Sequence, residues 1–339
     1  MERAGTGDGR AVRLGVIGCG DWGRNHIRTL RDLGALAAVA DLDPDRRAAA
    51  AADFGVPAMT PDALLADPGI DGVVLALPPR AHAEAALAVL RAGKALMVEK
   101  PMALNVADGE AIVAEAARAG VVAMTGHLLR FHPAFEALEA RVAAGDLGRI
   151  RYVYSTRIGL GKFFQGTDVL WDIAPHDLSL LFAITGEAPV RVHMEGAGML
   201  TDAPDFAHLH MTFPSGIRSH TFISRLSPLR DRRFTVIGEA GMAVFDDLAP
   251  WDSKLALYRH RIVTENGAVR VEGAEPEYVA LAERPPLTAE LEHFIGCVAT
   301  GQAPKAGVAE GLAVLRALAS VEGGGPGHAL RETGSGLTR

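Results

Sequence analysis

The spacing of apolar and polar positions changes about a third of the way along the chain, and the change predicts two folding units. From Val12 to about Gly126, short apolar runs of strand length alternate with longer segments of helical spacing, the pattern of a parallel sheet wrapped by helices. Strands are expected at Leu14–Ile17, Ala37–Ala40, Gly72–Ala76, Ala95–Val98 and Val121–Thr125. Helices are expected at Pro44–Phe54, at Ala81–Arg91 with Gly93 as its stop, and at Asn105–Ala119 with Asn105 as its cap. Pro133–Ala144 reads as one more amphipathic helix. From Arg151 onward most runs alternate with a period of two, as half-buried antiparallel strands do. They are Tyr152–Ile158, Val190–Glu195, Phe206–Phe213, Ile217–Ser224, Phe234–Gly238, Met242–Asp246, Lys254–Tyr258 and Ala268–Val271. One helix interrupts them near Pro175, burying Leu178, Leu181 and Phe182 and stopping at Gly186, and two more follow at Thr288–Thr300 and Val308–Ser320.

These patterns set the expected domain plan. Residues 1–11 form a glycine-rich leader, 12–126 an α/β domain, 127–322 an α+β domain with a large open, mainly antiparallel sheet, and 323–339 a glycine-rich tail. A length of 339 residues suits two cores rather than one. The formal net charge of −7 argues against a nucleic-acid partner, which calls for a basic face. Two cysteines, Cys19 and Cys297, make no disulfide framework and no metal-ligand spacing, and no apolar stretch reaches membrane-spanning length. The charged amino terminus is unlike a secretory signal, so a cytoplasmic location with no membrane partner is the expectation.

Chemistry concentrates in three places. The first is Gly18-Cys-Gly20-Asp21-Trp22-Gly23, where the first strand gives way to a helix. Glycines at this spacing allow a tight turn, close approach of a diphosphate and close helix packing, and the helix N-terminus favours an anion. Asp41 ends the second strand, at the place where a carboxylate accepts from an adenosine ribose. Such a carboxylate repels a 2′-phosphate, so NAD is expected over NADP, with Arg46 and Arg47 as the opposing features. The second place is the pair of segments Leu77-Pro78-Pro79-Arg80-Ala81-His82 and Glu99-Lys100-Pro101, which follow strands and so face the cofactor edge of a parallel sheet. A solvated Lys–Glu pair on a surface loop is the other reading of the latter. The third is Trp171-Asp172-Ile-Ala-Pro-His176-Asp177, where a histidine suited to general-base work opens a helix, unless Asp172 merely caps that helix and His176 lies on the surface. His208, His210 and His220 alternate along strands without a carboxylate or cysteine, and no metal site is expected from them. His127 and His132 flank Arg130 at the domain junction and fit either a structural role or substrate contact.

Taken together, the glycine turn, Glu99-Lys100-Pro101 and Asp172-Ile-Ala-Pro-His176-Asp177 resemble the Gfo/Idh/MocA family of sugar and cyclitol oxidoreductases over about residues 12 to 320. The resemblance implies a Rossmann domain for NAD or NADP and a second domain whose open sheet often forms an oligomer interface, here a homodimer or homotetramer. It places Lys100 and His176 in the active site with Asp172 beside them. The cofactor set is then Gly18, Gly20, Asp21, Trp22, Gly23, Asp41, Leu77, Pro78, His82, Glu99 and Lys100. Gly126-His-Leu-Leu-Arg130-Phe-His-Pro133 and Asp168-Val-Leu-Trp171 look like the branch acting on nucleotide-linked sugars, such as UDP-N-acetylglucosamine 3-dehydrogenases. The expected activity is oxidation of a secondary sugar hydroxyl by NAD, or the reverse reduction. Arg130, Arg157 and Lys162 are the candidates to pair with a substrate diphosphate. Three alternatives stand beside it: an inositol or free-sugar dehydrogenase, a non-catalytic dinucleotide-binding regulator, and a hydrolase that uses tightly held NAD in a transient oxidation.

Overall fold

The computed structural model describes residues 10–161, 168–199, 202–273 and 275–321. Two compact units emerge, one of residues up to Ala137 together with Leu281–Ala319, the other running from Leu138 to Ala280.

The first unit is built on a six-stranded parallel sheet. Along the chain it contains β1 (Leu14–Ile17), α1 (Asp21–Asp32), β2 (Leu36–Ala40), α2 (Pro44–Phe54), β3 (Ala58–Met59), α3 (Pro61–Ala66), β4 (Gly72–Leu75), α4 (His82–Arg91), β5 (Ala95–Glu99), α5 (Val106–Ala119) and β6 (Ala123–Gly126). The strand order is β3-β2-β1-β4-β5-β6, so the order reverses at β1 and leaves a crevice beyond the carboxyl ends of β1 and β4. All residues of β1, β4 and β5 are buried, which explains why they read as unbroken apolar runs. The helix limits follow local chemistry. Asp43 caps α2 through the N–H groups of Asp45 and Arg46, Asn105 caps α5 through that of Asp108, and glycines in left-handed backbone, Gly55 and Gly120, end both. The short β3 and α3 were not foreseen, being two and six residues long.

After a single turn at Leu128–Phe131 comes α6 (Pro133–Ala143), and then the second unit. It holds β7 (Ile150–Leu160), α7 (Val169–Asp172), α8 (Ala174–Thr185), β8 (Arg191–Ala197), β9 (Phe206–Thr212), β10 (Arg218–Ser224), β11 (Leu226–Gly238), β12 (Met242–Asp246), β13 (Leu255–Tyr258), β14 (Arg261–Glu265), β15 (Ala268–Glu272) and β16 (Pro276–Tyr278). Eight strands form one sheet in the order β16-β13-β12-β11-β7-β10-β9-β8, with β14 and β15 as a separate hairpin. Every neighbouring pair is antiparallel except β7 and β10, so the sheet is mainly antiparallel as expected. Alternation sorts its two faces: Val153, Leu209, Met211, Ile223, Val236 and Phe245 are buried, whereas Tyr154, His210, His220 and Val244 on the other face are not. α7 and α8 pack against β7, β9 and β10.

The last two helices, α9 (Pro286–Thr300) and α10 (Val308–Ala319), correct the expected boundary of the second domain at residue 322. Leu291, Phe294 and Ile295 of α9 join Ile27, Leu30 and Phe131 in the core of the first unit. Between the helices, the Thr125 N–H donates to the Ala306 carbonyl at 2.8 Å, and Met124 bridges Gly307. β6 is the edge of the parallel sheet, and this returning segment pairs with it where bare N–H groups would otherwise face outward. No described helix is long and apolar enough to cross a membrane.

Candidate active site

The glycine turn carries out the work its spacing implies. Gly18 sits at φ 107°, and a Cβ there would run into the Ala76 carbonyl, while a Cβ on Gly23 would strike the Gly18 carbonyl. Gly20, by contrast, faces open space, and as the cap of α1 it gives the helix no side-chain acceptor. The first turn of α1 therefore presents the positive end of the helix dipole on the open side of Gly20, an arrangement that favours an anion. Asp41 stands beside the glycine turn. Its Oδ2 accepts the Cys19 N–H at 2.7 Å and its Oδ1 accepts the Asp43 N–H at 2.9 Å, which fixes the carboxylate at the end of β2. These features suit a dinucleotide with an unmodified ribose. Cys19 adds no reactivity, since burial and then the Asp41 charge push its thiol up to about 11.

Past the ends of β4 and β5 lie the two expected loops. Leu77 is half-buried and Pro78 exposed. His82 does not project from its loop: it is buried, and its ring nitrogens lie 2.8 Å from the Leu77 and Pro101 carbonyls. It packs between the two loops, and burial lowers its pKa, which favours the neutral ring with one N–H for one of the two carbonyls. The Lys100–Pro101 peptide is cis. Glu99 is buried and accepts from Trp22 Nε1 at 2.6 Å, His26 Nε2 at 2.7 Å and the Lys100 N–H at 3.2 Å. Burial raises its pKa, but the bonds from His26 and Trp22, with the Lys100 charge, outweigh burial and hold the carboxyl below its ordinary range. The surface ion-pair reading of Glu99 and Lys100 thus fails for the glutamate, whose partners lie on α1.

In the second unit, Asp168 caps α7 by accepting from the Leu170 and Trp171 N–H groups. Asp172 is the last residue of α7 and not a helix cap, and α8 begins uncapped two residues later. This leaves the half-buried Asp172 and His176 close together in sequence around an α7–α8 break. Arg157 of β7 donates through Nε to Asp177 Oδ2 at 2.5 Å, with Asp177 fully buried, so the residue next to His176 is anchored to the sheet.

Two of the expected substrate cations are therefore otherwise engaged. Arg157 is committed to Asp177, and Arg130, 5% exposed, is paired with Glu310 at 2.5 Å and lies over the Phe135 ring. A buried guanidinium demands a partner at hand, and both have one within the protein. Lys162 lies outside the described residues. His132 accepts the Ala134 N–H at the start of α6, a structural role, and His127 is buried with its pKa pushed down to about 3 by burial and then by Arg130. His208, His210 and His220 stack as nearly parallel rings, and His208 Nδ1 lies 3.1 Å from His220 Nε2, so two of their ring nitrogens are spent on each other. Among the described residues no group of three or more His, Cys, Asp or Glu could hold a metal ion. Sequence reading missed the role of His26. Only part of its setting was legible: Trp22 and His26 are four apart and share one face of α1, which does not point to Glu99.

A parallel-sheet unit with a diphosphate turn and an acidic second strand, joined to a mainly antiparallel unit, defines a two-domain nicotinamide-dependent oxidoreductase. The chain belongs to the Gfo/Idh/MocA family. Residues 12–127 match the oxidoreductase family's NAD-binding Rossmann fold and residues 135–244 the GFO/IDH/MocA C-terminal domain. It is 32% identical to a UDP-N-acetylglucosamine 3-dehydrogenase of Acidithiobacillus ferrooxidans, covering 85% of this chain and 89% of that protein. It is 27% identical to the NAD-dependent scyllo-inositol 2-dehydrogenase of Bacillus subtilis, over 86% of this chain and 88% of that one. A solved structure of the A. ferrooxidans enzyme aligns with a TM-score of 0.81 at 31% identity, covering 91% of this chain and 96% of that one.

Proposed function

We propose that this NAD-binding oxidoreductase oxidises a secondary hydroxyl of a sugar, with C3 of a UDP-linked N-acetylhexosamine as the first candidate. The observation that carries the dehydrogenase reading is the cofactor-edge placement of Lys100, directly after β5, with its main-chain N–H held by the buried Glu99. In this reading His176 takes the hydroxyl proton, Lys100 stabilises the developing alkoxide, and Asp172 supports the pair electrostatically. The bound nicotinamide supplies the hydride acceptor. Gly18, Gly20, Asp21, Trp22, Gly23 and Asp41 hold the dinucleotide, and Leu77 and Pro78 line its path, with His82 packed behind them. The 32% identity to the A. ferrooxidans enzyme supports the UDP-sugar reading. The internal pairing of Arg130 and Arg157 favours a second reading, a free cyclitol as in the B. subtilis relative, because neither arginine is left for a diphosphate. A panel of UDP-sugars, free sugars and inositols with NAD, followed by absorbance of the reduced cofactor, decides between them. Turnover of an inositol with none of UDP-N-acetylglucosamine overturns the first reading, and no turnover on any overturns both.

The same reading includes a homo-oligomer formed through the outer face of the eight-stranded sheet, where Tyr152, Tyr154, Phe206 and Phe222 are only half-buried. Light scattering at micromolar protein that returns the monomer mass of 35.7 kDa overturns it.

A further inference from the structure

The Glu99 carboxylate joins two parts of the site that dehydrogenation requires in fixed register. On one side are Trp22 and His26 of α1, the helix whose first turn is offered to the diphosphate, and on the other is the main chain of Lys100. Trp22 is 42% exposed and stands edge-on to His26, with ring centroids 5.8 Å apart, so its indole is fixed at one end by the carboxylate and open on its remaining surface. His26 is fully buried and makes no contact with open solvent.

We propose that His26 is a positioning residue of this dehydrogenase site: its Nε2–H donates to Glu99, and through that carboxylate it fixes the Lys100 main chain and the Trp22 indole. The inference rests on reading Lys100 as the alkoxide-stabilising residue.

Glu99 holds its three donors most strongly while ionised, because a proton would take one acceptor site and remove the charge that strengthens each bond. The titratable groups that interact with it are His26 from α1, His82 from α4, Lys100 beyond its own strand, His127 after β6 and Glu290 from α9. Three of these bring no positive charge. Burial drives His82 and His127 toward their neutral rings, and burial, reinforced by the Glu99 charge, drives Glu290 toward its neutral acid. The remaining support is His26, the Trp22 bond and the Lys100 charge, and of these His26 opposes burial most strongly.

The test measures NADH affinity by cofactor fluorescence, and kcat, across the pH range of the stable fold. His26→Leu removes the strongest opposition to burial at Glu99 and leaves only the Trp22 bond and the Lys100 charge, so its proton affinity rises. Both NADH affinity and kcat then gain a new loss on the acid side, and kcat at neutral pH falls roughly 10- to 100-fold, the scale of a misplaced catalytic group. His26→Gln, which retains a donor N–H, recovers most of the turnover and removes the acid-side loss. Glu99→Gln in the His26→Leu background also abolishes that loss, which assigns it to Glu99. Should His26→Leu fail to fold, Glu99→Gln alone decides: its amide offers Lys100 a donor in place of an acceptor, so kcat falls on the same scale with no acid-side limb. Lowered thermal stability with unchanged pH profiles and NADH affinity overturns the proposal. NADH binding needs no substrate, so failure of the substrate panel leaves this measurement able to decide.

Discussion

The Glu99 carboxyl group occupies the space that a side chain at position 126 would fill. A Cβ on Gly126 would lie 3.1 Å from Cδ of Glu99, and the two residues are cross-strand neighbours on β5 and β6. Glu99 has no slack to yield, being held from three directions. Gly126→Ala is therefore expected to destabilise the protein by about 1–3 kcal/mol, the usual range for overpacking a filled site. It should also weaken NADH binding, because the strain passes to Trp22. Denaturant unfolding and a fluorescence titration check both, and a neutral or stabilising effect would show that Glu99 is not pinned.

Cofactor choice is written in Asp41. Arg47 donates to the Asp41 carbonyl at 2.6 Å, and Arg46 lies 3.4 Å from Asp43, so both nearby cations have partners at this edge. We expect kcat/KM to favour NAD over NADP by at least about 10-fold, equivalent to ~1.4 kcal/mol of charge repulsion. Asp41→Ser should narrow the gap. Equal use of the two cofactors by the unaltered protein would be the contrary result.

Lys100→Ala and His176→Ala are each expected to lower kcat by roughly two to four orders of magnitude, the range for losing an alkoxide-stabilising or acid–base group. His176 belongs to the second unit, so its loss should leave NADH affinity nearly unchanged. A histidine with a purely structural role would show reduced melting temperature with near-normal turnover.

Glu290 predicts a pH effect on stability. It is fully buried, neither carboxyl oxygen has a hydrogen-bond partner among the described residues, and burial raises its pKa well above the ordinary 4.5. A raised acid keeps its proton in the folded protein after the unfolded chain has lost it, so stability falls as pH rises from 4.5 toward the folded value. Each pH unit in that window removes up to about 1.4 kcal/mol. Glu290→Gln mimics the protonated acid and escapes this loss. The variant should match the parent near pH 4.5 and exceed it increasingly as pH rises, and thermal melts that stay parallel across pH would refute the assignment.

What could be read from the chain alone was what depends on near neighbours. The limits of α2 follow from Asp43 and Gly55, and the diphosphate turn from three glycines within six residues. The pairing of Glu99 with His26 could not be read, because 73 residues separate them and neither has a motif that names the other. The partners of Arg130 and Arg157 were hidden for a related reason. An arginine in a sequence announces a need for an anion, but only the fold shows that Glu310 and Asp177 lie within reach. The helices α9 and α10 have clear apolar faces, yet amphipathicity does not state which of two cores a face will join.

That return of α9 and α10 makes the nucleotide-binding unit discontinuous, with the second unit inserted between its parts. During synthesis, residues 138–280 are complete before Phe294 and Leu291 have been made, so the inserted unit can condense first while the earlier sheet still lacks part of its core. Released too early, a chain ending before Leu281 would hold every glycine of the diphosphate turn and still lack the part of the Ile27 and Leu30 cluster that α9 supplies. The core behind the diphosphate turn is thus completed late, when translation has passed the segment that pairs with β6.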